Sequence, residues 1–107
     1  MKLSIDCFVV SLPAMTFPLP VIAVGNSMSP AIEAGDIILI DRGRTGVYTG
    51  GVYAVLVEGE IQIRRLVVLS KWLVQIVCDN PLYPAYEANI GQLRIVGRVI
   101  RSHRIWV

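Results

Sequence analysis

A small, mainly β domain is the fold class this sequence predicts: antiparallel strands in coiled, partly closed sheets, with one short helical turn. Three observations predict it. A chain of 107 residues has room for one domain and no second. Short runs rich in Val and Ile recur at nearly even spacing, each bounded by Gly, Asp, Asn or Pro. Helix start and stop signals come together at one place, "SMSPAIEAG", where Pro30 stands early and Gly35 follows as a stop.

Residues 1–20 read as an extended arm, because Pro13, Pro18 and Pro20 each bias the preceding residue toward β or polyproline geometry. Residues 21–107 then form the domain itself. Its first strand is "VIAV" (21–24), and the helical turn leads into "DIILID" (36–41). "VYAVLVE" (52–58) and "IQIRRLVVL" (61–69) are joined by a tight hairpin at Glu58-Gly59-Glu60, and Ser70-Lys71 turns the chain into "WLVQIVC" (72–78). No strand is assigned from 79 to 92. The last run, "LRIVGRVIRSHRIWV" (93–107), is 15 residues long, longer than most strands. It is expected at a sheet edge, with the apolar Ile105, Trp106 and Val107 covered by a two-fold partner offering the same strand.

Composition narrows the function classes. Apolar residues make up 54% of the chain and charged ones 17%, more apolar and less charged than a typical soluble domain, so part of the surface expects a partner. A net charge of +2 is too small to argue for a nucleic-acid groove. Arg94, Arg98, Arg101 and Arg104 are read as a solvated strand face or an oligomer rim. Cys7 and Cys78 are too few for a disulfide framework and lack zinc spacing, which suits a reducing cytoplasm. The apolar stretch from Cys7 to Val24 is broken by three prolines, so neither a membrane span nor a signal peptide is expected.

The segment "AVGNSMSPAIEAGD" (23–36) carries the chemical question. Asn26 and Ser27 could cap the helical turn, with Asp36 and Asp41 as strand-end turn formers. Alternatively Ser27 is a nucleophile held at a strand end, which requires a base to take its proton. The single histidine, His103, has no evident acidic partner to orient it, which disfavours a Ser-His-Asp triad. The other common arrangement pairs serine with a lysine whose pKa is lowered by burial.

Here the motifs become specific. "GNSMSPAIEAGDIILID", "GGVYAVLVEGEIQIRRL" and "DNPLYPAYEANIGQLRIVGRVI" stand in the order found in the C-terminal domain of the LexA, UmuD and phage-repressor (cI-like) family of self-cleaving serine peptidases, which the chain resembles over residues 17–107. The resemblance implies a LexA/signal-peptidase-like β fold with no cofactor or metal. It places Ser27 at the nucleophile, Gly25 and Met28 in its turn, Gly35-Asp36 at the next strand, and Asn80, Pro81, Tyr83 and Pro84 in a loop motif. Arg64 falls where the family has its general-base lysine, 37 residues (64 − 27) after Ser27, with Arg65-Leu66 completing that signature.

The match departs from the family where the chemistry is decided. A guanidinium stays protonated in proteins, so an arginine cannot accept a proton as a lysine amine could. The 26 residues before Ser27 also contain no Ala-Gly or Cys-Gly pair of the kind that self-cleaving relatives cut; the one Ala-Gly is Ala34-Gly35, inside the turn motif. Three readings remain. One is the oligomerisation domain of a phage-type or SOS-type transcriptional repressor, inactive in self-cleavage, with DNA bound only through an N-terminal domain outside this chain. Another is an active or latent serine self-cleaving peptidase. The third is a free-standing subunit, like processed UmuD, of a translesion polymerase. The partners these imply are a homodimer through the C-terminal strand, extended in some cases to a higher oligomer, and an antirepressor, RecA or the polymerase.

Overall fold

The computed structural model describes residues 18–104. Seven strands form one antiparallel sheet: β1 (Leu19–Ile22), β2 (Ile37–Asp41), β3 (Gly51–Val57), β4 (Glu60–Val68), β5 (Leu73–Val77), β6 (Tyr86–Asn89) and β7 (Arg94–His103). Their order across the sheet is β1-β2-β7-β3-β4-β5-β6. The mainly β antiparallel fold expected from the sequence is therefore observed, as an open sheet with β1 and β6 at its edges. Among the described residues no helix is long and apolar enough to cross a membrane.

Side chains alternate between faces along each strand, and here both faces are used. Val21, Met28, Ile32, Ile38, Ile40 and Ala54 form one core, while Tyr53, Val55, Leu66, Val74 and Ile76 form a second. Strand β3 serves both, sending Ala54 to the first and its neighbours Tyr53 and Val55 to the second. A flat sheet could not cover two opposite faces with its own strands, so the twist must curl one half over each face. Two bulges in β7 sharpen that twist: Ile100 is skipped opposite Leu39 and Ile40, and Val96 opposite Ala54 and Val55. Between them lies Gly97, where a Cβ would stand 2.3 Å from the backbone oxygen of Asp41. Only a residue without a side chain lets β2 and β7 approach so closely.

Several elements differ from the sequence expectation, each for a physical reason. Strand β1 starts at Leu19 rather than Val21, and Pro20 is tolerated because β1 is an edge strand with one side unpaired. The expected helical turn at 27–35 reduces to one bond of helical spacing, from the Ile32 N–H to the Met28 oxygen. Among the described residues the helical turn is instead a 3-10 turn at Ile90–Gln92, capped by Asn89, whose side chain accepts the Gly91 N–H. The hairpin at 58–60 closes through Glu58 and Gly59, both at positive φ as a two-residue loop requires. At Ser70-Lys71 the turn is wider, with the N–H groups of Leu69 and Ser70 both bonded to the Leu73 oxygen. Strand β6 falls where the sequence predicts no strand; its register with β5, Leu73 opposite Asn89 through Ile76 opposite Tyr86, supplies the order that "YEAN" lacks in propensity.

The largest correction concerns β7, which is not an edge strand. It lies inside the sheet, paired with β3 over 94–98 and with β2 over 98–103. The ladder with β3 ends at Arg98, so from Val99 to His103 the strand is bonded on its β2 side alone. Residues 1–17, which include Cys7, and Ile105, Trp106 and Val107 lie outside the described residues.

Candidate functional site

Ser27 stands in the turn that follows β1. Ala23 prolongs the β1 pairing by donating its N–H to the Asp36 oxygen and accepting the Gly35 N–H, both at 2.9 Å. Gly25, at φ +79, then reverses the chain in a conformation that L side chains rarely adopt. Met28 is buried in the core beneath the turn, and its sulfur accepts the Asp79 N–H. Beyond it, Ser29 donates its hydroxyl to the Glu33 carboxylate, and the Glu33 N–H is bonded to Asp36.

The loop after β5 clamps this turn from the other side. Asn80, only 7% exposed, donates its Nδ2 to the Asn26 oxygen at 2.9 Å and its backbone N–H to the Ser27 oxygen at 3.0 Å. Its Oδ1 accepts the Leu82 N–H, and the Tyr83 hydroxyl donates to Asn26 Oδ1 at 2.6 Å. The Asn-Pro-x-Tyr-Pro stretch therefore fixes both residues that precede Met28. Its anchor is Asp79, held in two bonds by Arg65 at 2.8 and 2.7 Å, and Arg65 donates a third to the Gly50 oxygen. Those bonds to Asp79 raise the pKa of the Arg65 guanidinium further.

Arg64 points to the opposite face of β4 from Arg65, as the alternation of a strand requires. Its Nη1 donates to Ser27 Oγ at 3.1 Å and to the Ile63 oxygen at 2.7 Å. The two positions singled out in the sequence, 37 residues apart, are thus in direct contact. They open on a cleft of about 260 Å³ between the backbone of 21–25 and the stretch 60–64 of β4, with Met28 and Ile32 at its floor. His103 is exposed at the end of β7, opposite Ile37 in the ladder with β2.

Asp36 ties the same turn to the end of β7. It is buried, and its carboxylate accepts Nε and Nη2 of Arg104 at 3.1 and 3.3 Å. The Arg104 hydrogen bonds, and then that of the Glu33 N–H, hold its pKa below the usual carboxylate range. Sequence reading named Asp36, Asn80 and Arg104 without their bonds and passed over Asp79. The one local signal for Asp79 was its position just before the Asn80 motif.

The site is a serine hydroxyl beside a strand-borne cation, at the mouth of a cleft in an antiparallel β domain. The chain belongs to the Peptidase S24-like family, whose match spans residues 4–100, the family of the C-terminal domains of LexA, UmuD and phage repressors. Among curated proteins none matches significantly.

Proposed function

We propose that this domain is the dimerising C-terminal domain of a phage-type or SOS-type transcriptional repressor, and that its peptidase site is inactive in self-cleavage. One observation carries the reading: Arg64 meets Ser27 as a hydrogen-bond donor. A guanidinium has five N–H donors and no acceptor. It can stabilise negative charge on Oγ but has no lone pair to take the hydroxyl proton, so the nucleophile is held and never activated. Lysine, by contrast, becomes a base once neutral. DNA binding belongs to an N-terminal domain, and an antirepressor, RecA or a polymerase is the partner class left to such a module.

Dimerisation draws support from β7, whose β3-side edge ends its pairing at Arg98. Ile100 is 44% exposed there, and Ile22 is 45% exposed on β1. A second copy covering this edge closes the assembly by two-fold symmetry.

A latent peptidase is the competing reading, favoured by the cleft that persists beside Ser27. Incubation with a serine-directed fluorophosphonate between about pH 7 and about pH 10 separates the two, because the labelled fraction reports an activated hydroxyl. The wild type is expected to stay unlabelled while Arg64→Lys labels increasingly as pH rises. Stoichiometric labelling of the wild type would overturn the inactive reading.

A further inference from the structure

A second depression lies away from Ser27, where the β2–β3 loop folds back against β7. It is lined by Gly43, Arg44, Thr45, Gly46, Tyr48 and Arg98, with a volume of about 480 Å³. Tyr48 is 67% exposed, and the Arg98 guanidinium stands over its ring, 5.9 Å from the centroid. The ring and the guanidinium thus stand together at the lining of one depression, open to solvent.

The loop that presents these groups is rigidly held. Tyr53 is fully buried in the second core, yet its hydroxyl accepts the Tyr48 N–H at 2.8 Å and donates to the Gly46 oxygen at 3.0 Å. The residues on either side of Val47 are thereby fixed to the centre of the sheet. Asp41 sets the other end, accepting the Gly43 N–H on Oδ1 and pairing through Oδ2 with Arg44 Nε, whose side chain remains 61% exposed. Arg98 is placed by register, opposite Asp41 in β2 and Tyr53 in β3. One ring and two guanidinium groups, that of Arg44 already paired through Nε with Asp41, are therefore pre-positioned, which lowers the ordering cost of binding.

We infer that this depression binds a nucleotide, with its phosphate between Arg44 and Arg98 and its base stacked on Tyr48. Guanidinium groups match phosphate geometry in paired hydrogen bonds, and any unpaired base offers a face for stacking. An acidic peptide would use the two cations but leave the ring bare. A base-paired duplex would present no free face to Tyr48, so the nucleotide is either free or part of a single strand. The inference is independent of whether Ser27 is active.

The test is fluorescence anisotropy of a labelled oligothymidylate titrated with the full chain, competed by unlabelled oligothymidylate, thymidine monophosphate or polyglutamate. Tyr48→Ala is expected to weaken binding about fivefold or more. Arg98→Gln should weaken it and flatten the dependence of log affinity on log salt by about 0.7, the loss of one phosphate contact to a single strand. Lys71→Gln removes a similar cation–ring pair, 5.8 Å from Trp72 on the β4–β5 loop, and is expected to change nothing. Unchanged urea midpoints would verify that the variants fold. Competition by the monophosphate would assign the site to a free nucleotide, and competition by the oligomer alone to a strand; either supports the inference. An absence of saturable binding, a Tyr48→Ala affinity equal to the wild type, or equal competition by polyglutamate would each overturn it.

Discussion

Asn80 offers the sharpest test of how the Ser27 turn is held. Replacing it with alanine removes two side-chain bonds, Nδ2 to the Asn26 oxygen and Oδ1 from the Leu82 N–H, and leaves the backbone bond to Ser27 in place. Each such bond contributes about 0.5–1.5 kcal/mol net, and the groups left behind on Asn26 and Leu82 are exposed enough for water to reach. The expected loss is therefore about 1–3 kcal/mol, or roughly 4 °C in Tm per kcal/mol for a domain of this size. Urea denaturation should show a lower midpoint with an unchanged slope. Asn80→Asp supplies the charge test. One carboxylate oxygen would keep the Leu82 N–H, but the other would face the Asn26 carbonyl with no donor in a buried position, so the folded state would hold a proton there more tightly than the unfolded chain and the pKa would be raised. Relative to wild type, that variant should be most stable at acidic pH and lose stability as pH rises through the raised value. A loss below about 0.5 kcal/mol for Asn80→Ala, within the scatter of ordinary surface changes, would refute the clamp.

Two further outcomes follow from the end of β7. The Asp36 pKa is lowered by Arg104, so this pair stabilises the fold above the unfolded aspartate pKa of about 3.9 and the contribution is lost as pH falls through the folded value. Arg104→Gln should flatten the acid limb of stability in urea titrations from about pH 6 to about pH 2, and an unchanged limb would contradict the assignment. Sedimentation should show a wild-type dimer and a monomeric Ile100→Lys variant, since a charge on the open β7 edge opposes strand pairing. A truncation after Arg101 should behave likewise, and a wild type still monomeric at tens of micromolar would refute the dimer proposal.

The sequence by itself determined the elements whose information is local. Strands β2, β3, β4 and β5 fall within a residue or so of the runs that predict them, because Val and Ile between Gly and Asp already favour extended chain. The Glu58-Gly59 turn is equally local, needing only two residues at positive φ. The ordered motifs also fixed the family and marked Ser27, Arg64 and Asn80, since spacing along a chain is a sequence property.

Tertiary structure alone decided what depends on pairing between distant segments. Nothing in "LRIVGRVIRSHRIWV" says that β7 inserts between β2 and β3, because that choice is made by two bulged registers and by the room Gly97 leaves over Asp41. Strand β6 exists because β5 offers it a ladder, and the helical signals at 27–35 yield to bonds from Asn80, Asp36 and Glu33. The direction of the Arg64–Ser27 hydrogen bond likewise appears once a turn and a strand 37 residues apart have been brought together. Propensity and pattern act over a few neighbours, whereas pairing and burial are set by the lowest free energy of the whole chain.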